Sequence, residues 1–214
     1  MNCRVYNYDK NKVQIAKAVI PFLIILHHCY FLKGLGFFHN LGIILVSFFF
    51  LMSGYGLMTS FMAKGEGYLK GFYSRRVLKV FLPFLLSLAL WLGYETLVVD
   101  AFDIKSYLLE TNMGDWLPNS WFVWIILAGY ICFYIVFKLR ISLRNKLILF
   151  SLISFVYYIM GGQFGLPQYW YRSSYAMALG MLWRFQETNI RKLLGKKAVF
   201  CAFPLVCVCC GASA

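Results

Sequence analysis

The sequence predicts an all-α, polytopic transmembrane helix bundle of about seven spans with its N-terminus in the cytoplasm, on three observations. Hydrophobic residues make up 61% of the 214 and charged residues 14%, and the mean hydropathy is +0.68. A water-soluble domain of this length would need far more polar surface to cover its core. Apolar runs long enough to cross hydrocarbon as helices, about 17–25 residues, recur along the chain. The segments that join them alternate between basic and acidic or near-neutral. With no internal repeat and no low-complexity tract, residues 1–214 read as one integral-membrane domain.

The elements follow in order. A charged leader with Arg4, Lys10 and Lys12 precedes the first span, Val13–Leu32. It lacks a small-residue cleavage site, so a cleavable signal peptide is not expected. The second span, Leu41–Met62, carries a run of phenylalanines, and "KGEGYLKGFYSRR" after it reads as a short loop and a basic helix start. The third span is Val77–Val98, with Lys79 just inside it. The connector from Asp100 to Asn119 holds Asp100, Asp103, Glu110 and Asp115 against Lys105 alone. The fourth span, Trp121–Phe137, is followed by Lys138, Arg140, Arg144 and Lys146. The shorter fifth and sixth spans, Leu147–Met160 and Tyr169–Trp183, flank the Gly-rich punctuation "GGQFGLPQ". Arg184, Arg191, Lys192, Lys196 and Lys197 then lead to a seventh span, Ala198–Gly211.

Basic loops alternate with loops poor in lysine and arginine, as the positive-inside rule requires for a cytoplasmic N-terminus. The formal charge of +13 therefore reports orientation in a bilayer, and no nucleic-acid partner is expected. The seven cysteines form no paired framework, and "CVCC" (Cys207–Cys210) has no histidine or carboxylate beside it. No metal site is expected there.

Ionisable groups inside a span are functional-site candidates because they are costly to keep in hydrocarbon. His27 and His28 lie in "IILHHCYF" within the first span. His28 falls beyond the midplane, toward the outer side. Lys17 is eleven positions earlier, about 16 Å along the helix axis and within roughly 20° of the same face. His27 points about 100° away. His28 can be a general base, since neutral imidazole accepts a proton near physiological pH. The competing reading is a histidine that only hydrogen-bonds a neighbouring helix, with Lys17 snorkelling to the interface. Glu95, near the outer end of the third span, is the acidic candidate at a depth to partner His28. Arg75, Arg76 and Lys79, where the third span leaves the cytoplasm, form either a phosphate-binding patch or plain positive-inside anchoring.

Several of these pieces occur together in one known family. Lys17-x10-His28, then "FFFLMSGYGL" (Phe48–Leu57), then Arg76-x-x-Lys79 with Pro83 following, resembles the membrane acyltransferase-3 family. That family's pattern is Arg-x10-His in the first span, a Phe-rich "FFxLSGF"-like second span, and Arg-x-x-Arg after it. "SWFVWIILAGYICFY", Ser120 to Tyr134, is similar to the family's fourth-span region, with Trp121 and Tyr130 at matching places.

The resemblance implies transfer of an acyl group, commonly acetyl, from acetyl-CoA to a hydroxyl of a sugar or lipid-linked glycan precursor at the bacterial cytoplasmic membrane. His28 matches the family's essential histidine, and Lys17 stands where arginine is usual. Arg76 matches the first arginine of the second motif, and Lys79 replaces its second. Arg75, Arg76 and Lys79, with Lys17, are then the expected contacts of the acyl-CoA cosubstrate, and no permanently bound cofactor is expected. Lysine keeps the charge but loses the planar fork of arginine. Fewer spans than usual for the family also suggest an incomplete or shortened member. Two other classes compete: a transporter or flippase for a glycan precursor or small anion, and an inactive truncated relative. No inverted repeat or matched pair of broken spans favours transport.

Overall fold

The computed structural model describes residues 10–28, 41–190 and 192 of the chain. The described residues are helical with connecting turns and contain no strand. The elements are α1 (Lys10–His28), α2 (Leu41–Lys64), a 3-10 helix (Gly65–Leu69), a π-helical turn (Tyr73–Val77), α3 (Leu78–Val98), α4 (Ile104–Glu110), α5 (Trp121–Lys138), α6 (Leu143–Gln163), α7 (Gln168–Tyr171) and α8 (175–190). Among the described residues, four stretches are long and apolar enough to cross a membrane: Gly42–Leu69, Tyr73–Val98, Trp121–Lys138 and Leu143–Gln163. These correspond to the second to fifth spans expected from the sequence. The remainder of the first span beyond His28, and the whole of the seventh, lie outside the described residues.

Two spans differ most from expectation. The fifth span begins four residues earlier, at Leu143, because the Ser142 hydroxyl accepts the Asn145 amide and caps the helix. The expected sixth span, Tyr169–Trp183, is instead α7, a turn at 172–174, and α8, which continues to residue 190. Charged residues lie just beyond the expected end, Trp183. Two of them, Arg184 and Glu187, pair with each other one turn apart, at 3.2 Å, so the helix continues through them.

Helix α2 is the centre of the bundle. Phe50, Leu51, Leu57, Met58 and Phe61 are buried against Phe133 and Phe137 of α5, Leu147 and Phe150 of α6, and Met177 and Met181 of α8. The return from α2 to α3 adds Tyr68 and Phe72, which enter the core against Phe133. Helix α3 buries only Phe84 and Leu88, against Val123 and Leu127 of α5. Its other face presents Leu82, Leu86, Leu90 and Leu97 outward, as befits a helix in contact with lipid.

The helix order gives the bundle two chemically different ends. One gathers Lys64, Lys70, Arg75, Arg76, Lys138, Arg140 and Arg144; the other gathers Asp100, Asp103, Glu110 and Asp115 in the α3–α5 connection. That acidic connection is folded. Trp116 Nε1 donates to the Leu108 and Thr111 carbonyls, each at 3.1 Å, Trp124 Nε1 donates to Met113 O at 2.7 Å, and Ser120 Oγ donates to Gly114 O at 3.0 Å.

Candidate active site

The segment Ser53-Gly54-Tyr55-Gly56 of α2 meets a different neighbour at each residue. Ser53 Oγ and Tyr130 OH on α5 are hydrogen-bonded at 2.8 Å. A Cβ at Gly54 would overlap the Met177 carbonyl of α8, and a Cβ at Gly180 would overlap the Leu51 carbonyl of α2. The two backbones touch here, which only glycine permits. Tyr55 OH donates to Glu187 Oε2 at 2.9 Å. Gly56 faces the Arg76 guanidinium, 3.9 Å from where a Cβ would sit. Small residues therefore hold α2 against α5, α8 and the basic turn at once.

At the acidic end, α1 packs on the start of α2. The His27 ring lies over Gly42, where any Cβ would overlap it, and its Nδ1 is buried without a hydrogen-bond partner. The adjacent His28 ring is 5.1 Å away, at 63°. His28 is exposed into a cavity of about 430 Å³ lined also by Pro21, Ile24, Phe49, Phe50, Trp121 and Ile126, with Pro118 and Asn119 at its rim. Asn119 adopts a left-handed backbone (φ 63°), which asparagine tolerates better than most residues. The two adjacent histidines thus differ in environment: His27 packs against a glycine, whereas His28 opens on a space large enough for a small substrate.

Trp121 lines the His28 cavity, its ring 5.4 Å from Tyr169. Tyr130 lies deeper, buried on Ser53 and 6.3 Å from the Phe72 ring. Glu95 is half-buried near the end of α3 and does not line the His28 cavity. Lys17 is in α1, but its side chain lies outside the described residues. Pro21, inside α1, removes the amide that would bond the Lys17 carbonyl, and Pro83 does the same for Lys79 in α3.

The three basic residues at the opposite end differ in their partners and exposure. The Arg75 guanidinium folds back on the loop, donating to the Tyr68 carbonyl at 2.7 Å and to the Lys70 carbonyl. Arg76, half-buried, donates from Nε to Tyr68 OH at 2.9 Å and points toward Gly56. Lys79, three residues on, is exposed. The π-helical turn at Tyr73–Val77 widens the helix where Arg76 leaves it, a feature frequent at functional sites. Arg76 therefore points inward, while Arg75 serves the loop.

A second cluster was not singled out from the sequence. Arg184 on α8 pairs with Glu187 and donates from Nε to Thr59 Oγ1 at 3.1 Å, and its guanidinium lies 5.9 Å from the centre of the Tyr55 ring. Glu187 is buried, and it accepts from both Arg184 and Tyr55. Spacing three apart on a helix was the available signal, but it was masked by the expectation that Arg184 merely anchors a loop. Lys146 was likewise read as a loop charge. It is buried, with its ammonium donating to the Phe137 carbonyl at the end of α5 (2.8 Å) and lying 5.4 Å from the Phe61 ring centre. A cation there complements the helix C-terminus.

A helical membrane bundle with a histidine-lined cavity at its acidic end and an inward arginine at its basic end defines a class of membrane-embedded protein with an internal site. A family-wide sequence profile described as an acyltransferase domain matches residues 11–214. The chain belongs to this family, the acyltransferase-3 membrane acyltransferases. Neither a curated protein nor a solved structure matches it.

Proposed function

We propose that the protein transfers an acyl group, acetyl in the first instance, from a CoA thioester to a hydroxyl of a sugar or lipid-linked glycan precursor at the bacterial cytoplasmic membrane. The observation that carries this reading is the separation of two sites on one helix. Gly42, beside His27, and Gly56, beside Arg76, lie on the order of 21 Å apart along α2 at 1.5 Å per residue. The basic end faces the cytoplasm, where acyl-CoA is made. Arg76 meets the donor's phosphates, with Lys79 and Lys17 as further cations, and the extended pantetheine arm carries the thioester up the bundle toward His28.

The acceptor hydroxyl enters the His28 cavity from the other side. His28 takes the hydroxyl proton as the oxygen attacks the thioester carbonyl carbon. The C–O bond forms, the C–S bond breaks, and the departing thiolate receives a proton, leaving an ester and free CoA thiol. General-base help of this kind is worth about 10²–10⁴ in rate. The apolar lining of Phe49, Phe50, Trp121 and Ile126 keeps water from the thioester. Trp121 lines the acceptor side.

The test is transfer of radiolabelled acetyl from acetyl-CoA to membrane glycans, comparing wild type, His28→Ala and His28→Gln at equal membrane abundance. Incorporation by wild type, lowered about 10²-fold or more in both variants, supports the reading. Equal transfer by all three refutes the role of His28, and no transfer by any of them refutes the acyltransferase reading for this chain.

A further inference from the structure

A second cavity, of about 350 Å³, lies beside the first, and Phe50 lines both. Phe50 is 2% exposed and sits on α2 at the junction of the two spaces. Helix α5 contributes Ile126 to the His28 cavity and Ile125 to the second, so consecutive residues of one helix face the two spaces. The second cavity is bounded by Gly129 and Cys132 of α5, Phe150 and Ile153 of α6, and Met177 of α8. Two of its polar side chains are already engaged: Tyr157 OH donates to Trp170 O at 3.3 Å and Ser174 Oγ to Tyr171 O at 2.7 Å. Apart from Ser154 and Trp124, what it offers a ligand is mostly hydrocarbon surface.

We infer that this second cavity is an acyl-chain subsite, closed off from His28 by the Phe50 ring, and that Phe50 sets how long an acyl group the protein transfers. The inference rests on the acyl-transfer reading. The thioester carbonyl must sit near His28, so the alkyl part of a longer donor has to leave the His28 cavity or be refused. The adjoining apolar space shares the Phe50 side chain with that cavity, and α5 borders both. With Phe50 in place, a short acyl group fits and a long one meets the ring. With a smaller residue, the chain extends past position 50 between α5, α6 and α8.

Gly129 gives the control. A Cβ there would meet Met177 Sδ and Cε at 2.9 Å, the movable end of a flexible side chain rather than backbone, so Gly129→Leu adds bulk to the second cavity that Gly129 lines. Four chains in lipid nanodiscs are compared: wild type, Phe50→Leu, Phe50→Ala, and Phe50→Leu with Gly129→Leu. The leucine variant guards against collapse of the alanine one. Acetyl-CoA and octanoyl-CoA are the donors, with kcat/KM for transfer as one readout and dissociation constants from equilibrium dialysis of each labelled thioester as the other.

Wild type is expected to prefer acetyl. Phe50→Leu is expected to raise the octanoyl-to-acetyl ratio at least tenfold, since a hydrophobic pocket discriminates about 10–200-fold per methylene. The double variant is expected to return the ratio to the wild-type value. A ratio unchanged in a Phe50 variant that still transfers acetyl, or one that stays high in the double variant, overturns the inference. If no thioester is transferred but the dialysis ratio rises in Phe50→Leu and falls again in the double variant, the subsite stands and the acyl-transfer reading fails. If neither transfer nor the dialysis ratio responds, the subsite is refuted.

Discussion

Replacing Gly54 by alanine adds one methyl group where the α2 and α8 backbones touch. The new carbon would overlap the Met177 carbonyl, which is part of a helix backbone and cannot rotate away. The helices must therefore separate. Overpacking of this kind costs about 1–3 kcal/mol. Separation also strains the bonds that cross the same interface, Tyr55 OH to Glu187 and Arg184 Nε to Thr59. Interhelical hydrogen bonds in membranes average about 0.6 kcal/mol, so the total loss is about 2–4 kcal/mol. Tyr55→Phe alone should cost about 0.6 kcal/mol, and adding it to Gly54→Ala should cost less than the sum, because the bond is already weakened. Gly180→Ala, which would overlap the Leu51 carbonyl from the other side, should cost a similar amount. The assay is equilibrium unfolding in mixed micelles, followed by near-UV circular dichroism. A Gly54→Ala unfolding free energy within about 0.5 kcal/mol of wild type would refute the close approach of α2 and α8.

Other outcomes follow from the same contacts. Arg76→Ala should raise the KM for acyl-CoA at least tenfold with a smaller change in kcat, whereas Arg75→Ala should lower thermal stability and leave KM unchanged, because Arg75 is spent on the Tyr68 and Lys70 carbonyls; equal KM effects would contradict that division. Lys146→Ala, which strips the Phe137 carbonyl of its donor, should destabilise by about 1–3 kcal/mol, read from the unfolding midpoint. Asp103 caps α4, and its carboxyl is held below the ordinary 3.8, first by the Ser106 hydroxyl and then by the Lys105 and Ser106 amides. A depressed carboxyl contributes stability above its unfolded value and loses it as pH falls through the folded one. Hydrogen-exchange protection of α4 should therefore be constant above pH 3.8 and decline below it, and protection unaffected by acid would show that the cap does not hold the helix.

The features most legible in the sequence were those set by one chain segment and its solvent. Hydrocarbon length and the alternation of basic and acidic connectors marked α2, α3, α5 and α6, because each span must bury its own backbone polar groups whatever surrounds it. Lys17-x10-His28 and the Arg76 motif were readable because spacing along a helix fixes a side chain's height. The histidine pair was harder to resolve. Sequence put His27 and His28 on different faces but could not say which one meets a glycine, since Gly42 belongs to another helix. Arg75, Arg76 and Lys79 read alike in sequence, as a phosphate-binding patch or as plain anchoring, and only the structure, with its π-helical turn at Tyr73–Val77, gave each its own partners and exposure. Arg184 and Lys146 were taken for loop charges because a positive-inside count cannot tell a solvated cation from one seated on a buried carboxylate or a helix end.

By itself the sequence determined that this chain is a membrane-embedded helical protein, because hydropathy and charge act residue by residue along the chain, and its motifs carried the resemblance to the acyltransferase-3 family. Only the tertiary structure decided that Trp121 and His28 share a cavity, that Arg184 pairs with the buried Glu187, and that Phe50 lines two apolar spaces. Each of those facts depends on how closely two helices approach. Between α2 and α8 that distance is set by Gly54 and Gly180, whose missing side chains acquire meaning only once a second backbone lies against them.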